Sequence, residues 1–192
     1  MQKNNKIYKI LLTLFVFGFV AWFGGTLVRT MIAYDLFIPG IEMELKPQYT
    51  NETRMQNIYL FSITALITGI AYVVAVTSGM ILAFFTRKEF KEKGWIFMTF
   101  CLFVLTIPIQ TYFIYMDVKL AQVVYFQAVQ DFFHPDVQKY FVERFIDATN
   151  ASLRGIMLLS ALTCMLYSIW RPLENKINDS DEKNNPEFEK NN

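Results

Sequence analysis

The chain has 192 residues, of which 54% are hydrophobic and 17% aromatic, with 18 Lys or Arg against 17 Asp or Glu. Apolar runs long enough to cross a bilayer are rare in soluble domains, so this composition indicates an integral membrane protein whose first partner is the lipid bilayer. A net charge near zero argues against nucleic acid as a partner. His134 is the single histidine. It cannot supply the ligands of a haem or a catalytic zinc, so we expect no metal and no cofactor.

The first predicted membrane span covers residues 10–33 and follows a short basic segment. Its apolar part is too long for a signal peptide, and no small-residue cleavage site follows it, so we expect the helix to be retained. Gly18, Gly24 and Gly25 leave a flat surface that another helix can approach closely. Arg29 lies in the last turns of this helix.

The second predicted span covers residues 57–85 and follows a polar connection. Residues 53–56 (TRMQ) fit a capping box, which predicts that the helix begins at Thr53. The short turn 86–94 then holds four basic residues. Because short base-rich segments stay in the cytoplasm, we predict that this turn and both termini are cytoplasmic. The Asn- and Lys-rich ends of the chain are typical of an AT-rich bacterial genome, so we expect the membrane to be a bacterial inner membrane.

The second half of the chain predicts two long helices, residues 93–131 and 135–171, joined by a tight turn at residues 133–136. Their apolar parts, 95–115 and 151–170, provide the third and fourth spans. At 1.5 Å per residue each helix is about 55–58 Å long, against about 30 Å of hydrocarbon. Both helices should therefore extend beyond the membrane.

These elements predict an all-α fold, an antiparallel bundle of four transmembrane helices that forms one membrane domain over residues 1–171. Helices three and four would extend outward as a helical hairpin over residues 116–150, with aromatic residues along it. The remaining residues 172–192 are rich in Asn, Asp, Glu and Lys and cannot bury apolar surface, so we expect a disordered cytoplasmic tail.

Five polar residues near the outer ends of the spans are the candidate ligand-binding residues: Arg29, Gln110, Asp117, Asn150 and Arg154. Ionisable groups at membrane depth are costly and normally face a partner or a water-filled cavity. We therefore hypothesise that Arg29 and Arg154 line an outward-facing pocket, closed by Asp117 or Asp147, for a small acidic or polar ligand. The alternative is that both arginines only extend to the lipid headgroups.

The segment FVERFIDATNASLRG, residues 141–155, together with the count of four helices, resembles the small four-helix membrane proteins of the anthrone-oxygenase-like group. Two details depart from that pattern: the spacing from Asn150 to Arg154 is one residue longer, and Phe145 stands where Trp is expected. The resemblance implies a cofactor-independent oxygenase or a related small-molecule-binding protein. Only Asn150 and Arg154 carry over from it as site residues.

Two classes of function remain open. A non-catalytic accessory subunit of a membrane complex would bind a protein partner, or a second copy of the chain, through the aromatic hairpin. A small-molecule-binding protein, or an oxygenase-like enzyme, would instead have a polar pocket at the outer edge of the membrane. The sequence contains no nucleophile–base motif, no Gly-rich phosphate loop and no metal-ligand spacing, so it names no catalytic residue.

Overall fold

The computed structural model describes residues 6–40 and 43–172. Within those ranges every regular element is helical, apart from one isolated bridge between Phe37 and Leu45. The predicted tail from residue 173 onward lies outside the described residues. By length and composition, four helices could cross a membrane: Lys6–Tyr34 (α1), Asn51–Thr86 (α2), Gly94–Phe126 and Ala148–Trp170 (α7). The helical class and the four long apolar helices are confirmed.

The shorter elements connect these four helices. Glu89–Glu92 (α3) lies in the charged turn after α2, and Gly94–Ala121 (α4) continues as a π-helical turn through Phe126. Beyond a non-helical stretch, the chain forms Pro135–Val137 (α5), a second π-helical turn over Gln138–Val142, and Glu143–Ile146 (α6). We call the ends of α1, α2, α4 and α7 away from α3 the distal ends.

Side-chain caps place two helix starts differently from the sequence prediction. Helix α2 begins at Asn51 because the Thr50 hydroxyl accepts a hydrogen bond from the Thr53 amide at 3.3 Å, so the predicted start at Thr53 is wrong. The predicted unbroken helix over residues 135–171 is also wrong. The Asp147 backbone is extended, with ψ 125°, and its carboxylate caps α7 by accepting from the Asn150 amide at 2.9 Å.

The other long predicted helix, residues 93–131, begins within one residue of its predicted start but ends early. A non-helical Lys93 separates α3 from α4, and the helix does not continue past Phe126. Two residues later Ala128 has a φ of 52°, in the left-handed region that a right-handed helix cannot contain. The chain therefore turns earlier than the Pro135 signal predicts.

An apolar core at the distal ends joins α1, α2 and α4 to the segments between α4 and α7. Residues of α1 and α2 pack in it with the end of α4 and with residues 132–145. Its fully buried large members are Leu36, Ile58, Phe61, Leu120, Phe132 and Phe141. The region predicted as an outward hairpin thus packs against α1, α2 and the 35–50 connection.

The Asn51 side chain links the start of α2 to the segment after α4 by two hydrogen bonds. Its Nδ2 donates to the Gln130 carbonyl at 2.9 Å, and its Oδ1 accepts from the Phe132 amide at 2.9 Å. In the same region the Tyr125 hydroxyl donates to the Tyr59 carbonyl at 3.2 Å. These bonds hold the distal segments in a defined position over the helix ends.

A pH-dependent contact joins the two ends of the connection between α1 and α2. Lys46 Nζ lies 2.9 Å from Asp35 Oδ1, and the Tyr49 hydroxyl donates to Asp35 Oδ2 at 2.9 Å. These two hydrogen bonds hold the pKa of Asp35 below its ordinary 3.8, and the same contact raises the pKa of Lys46 above 10.5. The contact is therefore present at neutral pH, and it is lost only after pH falls below 3.8 or rises above 10.5.

We expect the Asp35→Asn variant to loosen this connection at neutral pH only. A carboxylate with a lowered folded-state pKa stabilises above its ordinary pKa and loses that contribution as pH falls through the folded value. The measurement is hydrogen exchange of the Lys46 amide, which donates to the Leu36 carbonyl at 3.0 Å. Protection should be weaker in the variant at pH 6, and the difference between the two proteins should shrink as pH falls further below 3.8. Equal protection at pH 6 would show that the contact contributes nothing.

Candidate functional site

Three arginines and one aspartate meet beneath the distal core. Arg29 comes from α1, Asp117 from α4, Arg144 from α6 and Arg154 from α7, and we call these four residues the arginine cluster. Their exposed fractions are only 4%, 6%, 7% and 8%. Buried ionised groups are stable only when charge partners and hydrogen bonds replace water, so the contacts of each are decisive.

Asp117 is the centre of the cluster. Arg29 donates two hydrogen bonds to its carboxylate, from Nη2 to Oδ1 at 2.6 Å and from Nη1 to Oδ2 at 3.1 Å. Arg144 Nη1 also donates to Oδ1. Arg29 Nη1 further lies 3.3 Å from the Thr68 hydroxyl of α2. Paired bonds of this kind are among the strongest and most directional polar contacts in proteins.

Arg154 has no carboxylate partner in the described part of the chain. Its Nη2 donates to the Arg144 carbonyl at 2.5 Å, and its guanidinium lies 4.2 Å from the centre of the Phe145 ring. The ring of Phe61 likewise lies 4.1 Å from the Arg29 guanidinium and 5.3 Å from that of Arg144. Aromatic faces thus supply part of the negative potential that carboxylates would otherwise provide.

The cluster carries a formal excess of two positive charges, three guanidinium groups against the one carboxylate of Asp117. Its arginines line a small cavity of about 20 Å³. Two of their nitrogens, Nε of Arg29 and Nε of Arg154, are buried without a hydrogen-bond partner among the described residues. The other lining residues are Thr26, Thr30, Phe61, Gln110, Phe113, Phe145 and Met157. The arrangement suits an anion that accepts hydrogen bonds.

Each residue of the arginine cluster that stands on a long helix occupies a position in a buried stripe. Arg29 follows Trp22 by seven residues on α1, and Asp117 follows Phe113 by four on α4. Arg154 precedes Met157 by three on α7. Residues at these spacings share one face of a helix, so the packing that buries the apolar members also brings the charges together.

The structure brings four of the five predicted residues together. Gln110 lines the cavity with Arg29 and Arg154, and Asp117 pairs with Arg29. Asn150 lies elsewhere. Its Nδ2 donates to the Glu143 carbonyl at 3.4 Å, and its side chain lines a separate surface cleft beside Glu143 and Asp147.

Asp117, rather than Asp147, is the carboxylate that closes the cluster, because Asp147 is exposed and caps α7. The guanidinium groups of Arg29 and Arg154 are directed into the bundle and contact other helical segments. The structure therefore does not show the alternative in which both extend only to lipid headgroups.

Sequence reasoning missed Arg144. It stands in a segment with Glu143 and Asp147, and charges in such a segment are usually solvated. The signal that identifies it is its spacing from Val137 and Phe141, which are both buried. Steps of four and three residues place Arg144 on the same apolar face.

The chain matches no protein-family model, and comparison with curated proteins and with solved structures gives no match either. The resemblance to the anthrone-oxygenase-like group therefore rests on residues 141–155 and the helix count, and stays a prediction. Of the two residues that it carries over, only Arg154 belongs to the arginine cluster.

Proposed function

We propose that this chain is a membrane protein that binds a small anionic ligand, bearing a carboxylate, at the arginine cluster. The observation that carries the proposal is the excess of positive charge in a buried cavity with unpartnered guanidinium nitrogens. Burying an uncompensated ion costs several kcal/mol, and a bound anion would offset that cost. A carboxylate fits because its two oxygens can accept paired bonds from a guanidinium.

We further propose an antiparallel four-helix bundle in a bacterial inner membrane with both termini in the cytoplasm. Contacts between α1 and α2 run in opposite order along the two helices: Gly18 lies against Ala75, and the later Arg29 lies against the earlier Thr68. This order supports the antiparallel arrangement. The basic turn around α3 supports its cytoplasmic placement, which would put the arginine cluster and the predicted hairpin on the outer side.

A second proposal concerns the exposed aromatic residues at the distal ends. Phe126 is 86% exposed, and Phe133 and Tyr125 are also exposed. Exposed aromatic surface of this kind is typical of protein interfaces. We propose that a partner protein or a second copy of the chain contacts it, as the accessory-subunit interpretation requires. Gentle extraction and native mass spectrometry would show a fixed-stoichiometry partner.

The carboxylate proposal predicts a ligand-dependent rise in stability that depends on Arg154. Wild-type protein in neutral-lipid nanodiscs should unfold at a higher temperature as butanoate is added, and the response should saturate. A ligand at 100 times its Kd that binds only the folded state adds about 2.7 kcal/mol. In the Arg154→Gln variant we expect at least tenfold weaker binding, since one charged hydrogen-bond donor is removed.

The matched control is Arg87→Gln, because Arg87 is exposed on the charged turn outside the cluster. It removes the same charge and should leave the response to butanoate unchanged. The proposal fails if wild type shows no saturable response to any carboxylate, or if both variants respond as wild type does.

A further inference from the structure

The geometry points to a lipid-soluble ligand: we infer that the carboxylate belongs to a long-chain amphiphile that reaches the arginine cluster sideways, from the bilayer, between α1 and α7. This inference rests on the proposed function and narrows its ligand class. A water-soluble carboxylate would instead need a path from the distal surface.

The cavity has room for one oxygen of the ligand's head group and for nothing more. Its volume is about 20 Å³, and one water molecule needs about 10–15 Å³ by the same measure. A space of this size admits a single carboxylate oxygen between the guanidinium groups, so the second oxygen lies at the rim of the cavity. Whatever the carboxylate is attached to must therefore lie outside the cavity, so the direction of the opening decides the nature of the ligand.

The distal side of the cavity is closed. The Phe145 ring meets the Tyr34 ring edge-on at 5.7 Å, which joins α6 to the end of α1. Arg144 completes this closed side, which we call the roof of the cavity. Its side chain donates to Asp117, and its carbonyl accepts from Arg154. Above the roof lies the distal apolar core. A ligand cannot enter from that side without separating these contacts.

The opposite side, toward the membrane centre, is closed as well. Trp22 of α1 packs there with Tyr72, Met157 and Ala161, which form the second buried core. Between this core and the roof, α1 contributes Thr26 and Thr30, which are only half-buried. The other residues that line the cavity are all buried, so its rim opens at Thr26 and Thr30, between α1 and the side of α7 that carries Arg154 and Met157. Both helices are long and apolar enough to cross a membrane.

An alkyl chain leaving this rim would lie on apolar side chains. Phe19 and Phe23 continue the Thr26–Thr30 side of α1 toward the membrane centre, at steps of three and four residues, with their rings stacked at 6.3 Å. Both are partly buried against the second core, as is Leu158 of α7. The depth is also suitable: Thr30 lies four residues, or about 6 Å, below the end of α1 at Tyr34.

The test compares carboxylates of different chain length on the whole protein in neutral-lipid nanodiscs. We expect dodecanoate to bind at least tenfold more tightly than butanoate, and dodecanol, which has the same chain without the charge, to bind at least tenfold more weakly than dodecanoate. If butanoate binds as tightly as dodecanoate, the lateral route is overturned while the proposed function stands. If no carboxylate binds, the proposed function itself fails.

A variant pair tests the opening directly. Thr30→Trp places a large ring at the rim and should weaken dodecanoate binding at least tenfold. Gly24→Trp is the matched control, because a side chain at Gly24 meets nothing within 4 Å and lies about 120° around α1 from Thr30. Dodecanoate binding that survives in Thr30→Trp would overturn the inference. The chain-length comparison on wild type remains decisive if that variant fails to fold.

Discussion

The Asp117→Asn variant should lose about 3–5 kcal/mol of its free energy of unfolding, the usual cost of leaving a buried charge without its partner. Asp117 holds Arg29 through two bonds and Arg144 through a third, and all three residues are buried. Asparagine keeps the shape but removes the only negative charge of the arginine cluster. The measurement is equilibrium unfolding in mixed detergent micelles, followed by circular dichroism.

The matched control is Asp35→Asn, the same substitution at a half-exposed carboxylate that pairs with Lys46. Exposed ion pairs are screened by solvent and contribute little, so the control should unfold almost as wild type does. A stability for Asp117→Asn equal to that of the control would contradict the assignment of Asp117 as the counter-ion of two arginines.

The Asp117→Asn variant also distinguishes a ligand-binding site from a network whose role is only structural. In Asp117→Asn the arginine cluster has three positive charges and no negative one, so a bound carboxylate should stabilise the variant more than it stabilises wild type. A purely structural network would show the loss of stability without any larger response to butanoate or dodecanoate. The difference between the two ligand-induced shifts is thus the informative quantity.

The sequence predicts the long apolar helices because length and hydropathy alone determine whether a helix can cross a bilayer. It also singles out Arg29, Asp117 and Arg154, since charge at membrane depth is rare and needs a partner. It does not predict which partner. Arg29 and Asp117 are 88 residues apart, and Arg144 and Asp117 are 27 apart. Only the packing of four segments decides these pairs.

Local chemistry that competes with the helical pattern explains the errors in helix bounds. Apolar periodicity runs through residues 135–171 almost without a gap, yet the Asp147 carboxylate bonds the Asn150 amide and starts a new helix. That break turns α6 over the distal ends and lets Arg144 and Arg154 meet. A single capping residue, which periodicity cannot detect, therefore helps to create the candidate site.

Two of the three glycines of α1, Gly18 and Gly24, should respond in opposite ways to the same substitution. A Cβ at Gly18 would lie 2.8 Å from the Ala71 carbonyl oxygen and 2.9 Å from the Ala75 nitrogen, both backbone atoms of α2 that cannot rotate away. At Gly24 a Cβ would meet nothing within 4 Å. We expect Gly18→Leu to cost about 3 kcal/mol, the upper part of the usual range for overpacking, in the same unfolding experiment.

Gly24→Leu should be neutral or stabilising by up to about 1 kcal/mol, since leucine favours the helix over glycine. The two variants also test whether the close packing of α1 on α2 positions Arg29 in the arginine cluster. Arg29 is carried by α1 and bonds Thr68 of α2, so forcing the two helices apart at Gly18 should shift Arg29 relative to Asp117 and weaken carboxylate binding. Equal stability in the two variants would mean that α1 and α2 do not approach closely at Gly18, and the position of Arg29 would then need another cause.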